Sequence, residues 1–156
     1  MPSPVHFRLT AVLLALLLIM ACKTPTYTLD TLPEEQLRFG SGGGFAGTST
    51  EHLLLANGQY FKKPQGSRQL GYITRIDPAL AKRYLQRAGA LGLNAMDFNH
   101  PGNMYYYLDL RGGATAGKIT WGDINHEPPA AAKALYKELL ATVSPLQREM
   151  PGARPK

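Results

Sequence analysis

Residues 104–121, MYYYLDLRGGATAGKITW, carry the pattern that decides the fold. Met104, Tyr106, Leu108 and Leu110 alternate with Tyr105, Tyr107 and Asp109, which is the two-residue period of a strand whose faces meet different surroundings. Gly112-Gly113 turns the chain back, and Lys118–Trp121 returns with Ile119 and Trp121 on one side. A lone hairpin is at best marginally stable in water, so its apolar face needs another layer. The segment that follows offers one. Pro128-Pro129 opens a helix in which Ala132, Leu135, Tyr136, Leu139, Leu140 and Val143 form an apolar stripe, and Pro145 stops it.

Working upstream, Asp77-Pro78 reads as an N-cap followed by proline at the first helical position. Leu80, Tyr84, Ala88 and Leu91 then recur on one helical face, and Gly89 or Gly92 ends the helix. Before it, Leu70–Ile76 is a short strand candidate. Thr48–Ala56, the Asn57-Gly58 turn and Gln59–Lys62 read as a second hairpin. Gln36–Phe39 can open a strand, interrupted by the glycines that follow. The order predicts an α+β fold: an antiparallel sheet built from two hairpins, with two helices packed on one face.

The first thirty residues concern address rather than fold. Residues 9–21, LTAVLLALLLIMA, follow a short n-region containing Arg8, the layout of a signal peptide. Thirteen helical residues reach only about 20 Å against a hydrocarbon core of about 30 Å, which disfavours a permanent span. Cys22 is the single cysteine of the chain and stands where the apolar run ends. One thiol cannot form an intramolecular disulfide in an exported protein, so thioether linkage to a lipid is the expected use of Cys22; the alternative is a plain secretory signal with Cys22 incidental. The expected organisation is a removed signal over 1–21, a flexible tether over 22–34, one domain over 35–144 and a disordered tail over 145–156.

The 17 Lys and Arg exceed the 11 Asp and Glu, with only Arg8 falling in the signal. No basic stretch is longer than Lys62-Lys63. A mildly basic surface of this kind argues against a nucleic-acid groove, and no nucleic-acid partner is expected.

Gly42-Gly-Gly-Phe-Ala-Gly47 satisfies G-x-G-x-x-G. A dinucleotide site also needs a helix behind the glycines and an acid about twenty residues on; a hairpin follows instead, and residues 62–75 hold no acid. The glycines are expected to serve a bulge or close backbone approach, or a backbone nest for a small anion. His52, His100 and His126 have no metal-ligand spacing, and no hydrolase nucleophile motif occurs, so no metal, cofactor or catalytic residue is assigned. Asp123, His126 and Glu127 precede the last helix, where acids favour its N-terminus. The candidate binding surface combines Gly42, Gly43, Gly44 and Phe45 with Asn99-His-Pro-Gly-Asn103 and Thr120-Trp-Gly-Asp123, which bracket one hairpin. Within it, His100, Asn103, Trp121 and Asp123 would form the end, with Tyr105 and Tyr107 extending an aromatic strip; the alternative is that Trp121 is core, the tyrosines line the sheet and Pro101-Gly-Asn103 is a turn.

Two resemblances add to this reading. Ile19-Met20-Ala21-Cys22 resembles a lipobox, with Met20 bulkier than the usual occupant. Lys23 is not the aspartate that marks inner-membrane retention in the familiar class, so the resemblance implies outer-membrane attachment. FGSGGGFAG, LLANGQYF, DFNHPGNMYYYLDL and KITWGD together resemble a group of small Bacteroidetes-type lipoproteins with no assigned activity. This resemblance implies one compact envelope domain and carries over no catalytic residue. The functional expectation is a lipid-anchored binding or adaptor module, with an inhibitor of an envelope hydrolase as the alternative and a small hydrolytic enzyme third. An envelope protein is its expected partner.

Overall fold

A computed structural model describes residues 24–147 apart from 64, 65 and 68. The expected signal over 1–21, Cys22 and residues 148–156 lie outside the described residues. The described residues form an α+β fold, with a seven-stranded, mostly antiparallel open sheet and two α-helices. The strands are β1 (Gln36–Gly43), β2 (Thr48–Leu54), β3 (Gln59–Lys63), β4 (Gly71–Arg75), β5 (Asn99–His100), β6 (Met104–Arg111) and β7 (Gly117–Trp121). Helix α1 (Pro78–Ala90) lies between β4 and β5, and α2 (Ala130–Val143) follows β7. The sheet order is β4-β3-β2-β1-β6-β7-β5, and β5 runs parallel to β7.

Strand β1 does not stop at the glycine cluster. It continues to Gly43, paired along its whole length with β6 and from Leu37 onward with β2. The glycines are retained in the ladder because neighbours crowd them. A Cβ on Gly40 would meet the Thr50 carbonyl oxygen at 2.1 Å, and one on Gly42 would meet the Tyr105 hydroxyl at 2.5 Å. Only glycine fits beneath such contacts without displacement.

Local chemistry sets the other boundaries. The Asp77 carboxylate accepts from the Ala79 amide at 2.9 Å, capping α1 behind Pro78. Asn57 Oδ1 accepts from the Gln59 amide at 2.9 Å, and Gly58 takes a φ of 86° with the Ile76 carbonyl close against it. The buried stripe of α2 is Ala132, Leu135, Tyr136, Leu139 and Val143, with Leu140 partly buried. In α1 the buried face is Ala81, Tyr84, Leu85 and Ala88, rotated from the expected one so that Leu80 and Leu91 sit at its margin. Beyond α2, Pro145–Gln147 form a 3-10 turn rather than beginning an unstructured tail.

Two apolar clusters form. The larger joins Leu37 and Phe39 of β1, Leu54, Tyr60, Leu108, Leu110, Ile119 and Trp121 with the buried residues of both helices. The smaller, Leu53, Leu55 and Phe61, takes in Tyr27, Leu32 and Leu70. Alternation along β2 therefore explains the run Leu53-Leu54-Leu55: its middle residue serves the larger cluster and its flanking residues serve the smaller one.

The Thr/Pro-rich stretch expected as a free tether has no helix or strand, yet it is fastened. Tyr27 donates its amide to Gln59 Oε1 at 2.7 Å, and its carbonyl accepts from Gln59 Nε2 at 3.0 Å. The Gln59 side chain thus pairs with Tyr27 as a peptide group would. Asn57 Nδ2 donates to the Pro25 carbonyl at 2.7 Å, and Arg75 Nη2 to Thr26 Oγ1 at 3.1 Å.

Candidate functional site

One end of the sheet gathers the segments singled out in the sequence. Gly43, Gly44 and Gly47 take φ values of 98°, 73° and 58°, turning β1 into β2 and leaving Phe45 fully exposed at the apex. The Gly44 amide donates to the Asn103 carbonyl at 2.7 Å, and Gly43 pairs with Met104. Asn99 pairs with Thr120 and His100 with Trp121, while the Asp123 amide donates to the His100 carbonyl at 3.0 Å. Gly42, Gly43, Gly44, Phe45, His100, Asn103 and Asp123 therefore share this end. The amides of Gly44 and Gly47 are committed to Asn103 and Gly44 carbonyls, so neither is turned toward an anion as a nest would require.

The aromatic strip is divided between two faces. Tyr105 and Tyr107 lie over Gly42 and Gly40. They border an open polar basin of about 240 Å³ that also includes Glu51, Lys63, Asp109 and Lys118. Glu51 there bonds Arg38 at 2.6 Å, Asp109 bonds Arg111 at 3.0 Å, and Lys118 Nζ stands 5.0 Å from the Tyr107 ring centre. Burial, followed by the negative charge of Glu51 and Asp109, pushes the Tyr107 phenol well above its ordinary range. It stays protonated at neutral pH, a hydrogen-bonding group rather than a nucleophile.

Trp121 lies elsewhere. It pairs with Tyr106, is 6% exposed, and meets Tyr136 edge-on at 5.2 Å between ring centres. The Tyr136 hydroxyl donates to the Gly40 carbonyl at 3.1 Å, and burial raises that phenol to about 12. Trp121 is thus largely buried, matching the alternative placement in the core, and its edge borders an open depression that also includes Tyr106, Asp123 and His126. Its two-residue spacing from Ile119 had already put the two on one face, and Ile119 is fully buried.

Near Asp123, the His126 ring stacks on His100 with centroids 3.9 Å apart, and His126 Nδ1 lies 2.8 Å from Asp123 Oδ2. The Asn125 backbone amide, followed by the His126 hydrogen bond, holds the Asp123 carboxyl below its usual range. This His–Asp pair stabilises the turn into α2, with Glu127 bonded to Lys133 at 3.1 Å. Among the described residues, no group of three or more His, Cys, Asp or Glu side chains gathers to hold a metal.

Sequence reasoning did not single out Glu51, Lys63 and Lys118 as neighbours of Tyr105 and Tyr107. Alternation gives each its face, but the order β3-β2-β1-β6-β7 that brings them together is set by non-local pairing. Comparison with known protein families returns no match, and comparison with curated proteins returns none.

Proposed function

We propose that the chain is an envelope lipoprotein, attached to the outer membrane through lipid on Cys22, whose domain binds another envelope protein through the glycine-rich end of its sheet. The observation that carries this reading is Phe45, fully exposed at the tip of a turn whose β1 arm is laddered to β2 on one side and to β6 on the other. A backbone held this way loses little conformational freedom on binding, and burying the Phe45 ring contributes about 1.5–3 kcal/mol. The reading takes both helices to pack on the face of Leu37 and Phe39, supported by their shared cluster, leaving Tyr105 and Tyr107 available beside the tip. The short projecting turn at 44–47 equally suits insertion into a cleft, which favours an inhibitor of an envelope hydrolase as the second reading.

A photo-crosslinking phenylalanine analogue at position 45, which keeps the aromatic ring, tests the proposal in cells. Capture of one reproducible protein, lost when the crosslinker is moved to exposed Lys82, supports a binding module; a hydrolase as the captured protein selects the inhibitor. Failure to capture any protein from position 45 or 105 overturns the reading. Fractionation tests the anchor separately: Cys22→Ser should release the protein from membranes.

A further inference from the structure

We infer that the surface formed by residues 25–29 and strand β4 rests on lipid headgroups, so that the glycine-rich end points away from the bilayer. The inference builds on the lipid at Cys22 proposed above. Only Lys23 and Thr24 separate Cys22 from Pro25, whose carbonyl is held by Asn57. Three residue steps extend at most about 11 Å, so an anchored Cys22 holds this part of the domain against the bilayer. A long tether would leave its orientation free; this one does not.

The surface brought there has the chemistry of an interface with lipid. Leu29 and Tyr72 are 45% and 55% exposed, and Tyr72 meets Phe61 edge-on at 5.6 Å. They border an open, largely apolar depression that also includes Tyr27 and Arg75. Arg75, hydrogen-bonded to Thr26, supplies a cation for headgroup phosphate, and Asp30 is the acid of the same segment. Tyrosine with an apolar body and polar tip suits the boundary between hydrocarbon and water.

The opposite end follows from the topology. The 44–47 turn precedes β2 and the Asn57-Gly58 turn succeeds it. Seven strand residues at about 3.3 Å each place these turns roughly 20 Å or more apart along β2. Phe45 is accordingly carried at the end remote from the fastened segment.

The test uses full-length protein matured in cells, purified and reconstituted in vesicles of phosphatidylethanolamine and phosphatidylglycerol bearing brominated acyl chains. Tryptophan is introduced as Tyr72→Trp or Phe45→Trp, with buried Trp121 as a constant background. The expected result is loss of about half or more of the added emission at position 72 and little loss at position 45. The difference should shrink when a Gly/Ser segment is inserted between Lys23 and Thr24. Equal quenching at both positions, or a difference unchanged by the insertion, overturns the inference. The intact mass separates the two levels: absence of the lipid mass removes the lipoprotein reading and this inference with it, whereas lipidated protein with equal quenching removes this inference alone.

Discussion

His52 Nδ1 and the Tyr60 hydroxyl share a hydrogen bond of 2.7 Å inside the larger core, with the His52 ring stacked on Phe39 at 4.9 Å. Burial, aided by the charge of Lys62, lowers the His52 pKa from 6.5 to about 4. The folded chain refuses a proton that the unfolded chain accepts near its ordinary pKa. Stability from this group is therefore complete above pH 6.5 and is lost as pH falls toward 4. The loss is on the order of 3 kcal/mol. Urea midpoints measured between neutral pH and pH 4 should fall more steeply for the natural chain than for His52→Gln. Parallel curves would show that His52 is not the linked group.

Gly40 and Gly42 are both crowded but by different atoms. The nearest neighbour of an added Cβ is backbone at Gly40 and a side-chain hydroxyl at Gly42. A phenol can swing aside, whereas a laddered carbonyl cannot. Thermal melts should show Gly40→Ala as the more damaging, by roughly 1–3 kcal/mol. Equal melting temperatures for the two variants would contradict the close approach of β1 and β2 at Thr50.

Much of this architecture is legible in local sequence. Asp77-Pro78 marks the start of α1, Asn57-Gly58 marks the β2–β3 turn, and the alternation of 104–110 assigns the faces of β6. Strand β1 is less legible because four glycines over 40–44 ordinarily weaken a strand, and the compensation comes from Tyr105 and Tyr107 some sixty residues on. The fastening of Tyr27 to Gln59 is equally hidden, since a Thr/Pro-rich stretch has no period and its partner is a side-chain amide 32 positions away. Of the candidate surface, Gly43, Phe45, Asn103 and Asp123 were legible as turn residues bracketing adjacent strands. For Trp121 the sequence left two placements, and its parity with Ile119 favours the core one, in keeping with a ring only 6% exposed.

Trp121 and Phe45 should separate stability from recognition. Trp121→Ala removes a buried ring from the contact with Tyr136 and should cost about 3–5 kcal/mol in denaturant titrations. Phe45→Ala alters only a fully exposed side chain and should stay within about 0.5 kcal/mol of the natural chain while abolishing partner capture by a crosslinker at position 105. A Phe45→Ala protein that still captures its partner at full yield would move the recognition site elsewhere.

Amide exchange should expose the fastening of the N-terminal segment. The Tyr27 amide donates to Gln59, whereas the Thr28 amide bonds an exposed Thr31 hydroxyl. Tyr27 should exchange more slowly than Thr28, and Gln59→Ala should bring the two together. If Tyr27 exchanges as fast as Thr28 in the natural chain, the segment is not held as described.

The two margins of the sheet are unequal but both are short. On one side β4 has five residues and a register shift in its pairing with β3; on the other, β7 is covered by the two residues of β5 running parallel to it. A long flat margin exposes unpaired backbone groups and would invite neighbouring chains to zip together through them. Irregular, abbreviated margins give a second copy little to extend, so neither side of the sheet invites growth by added strands.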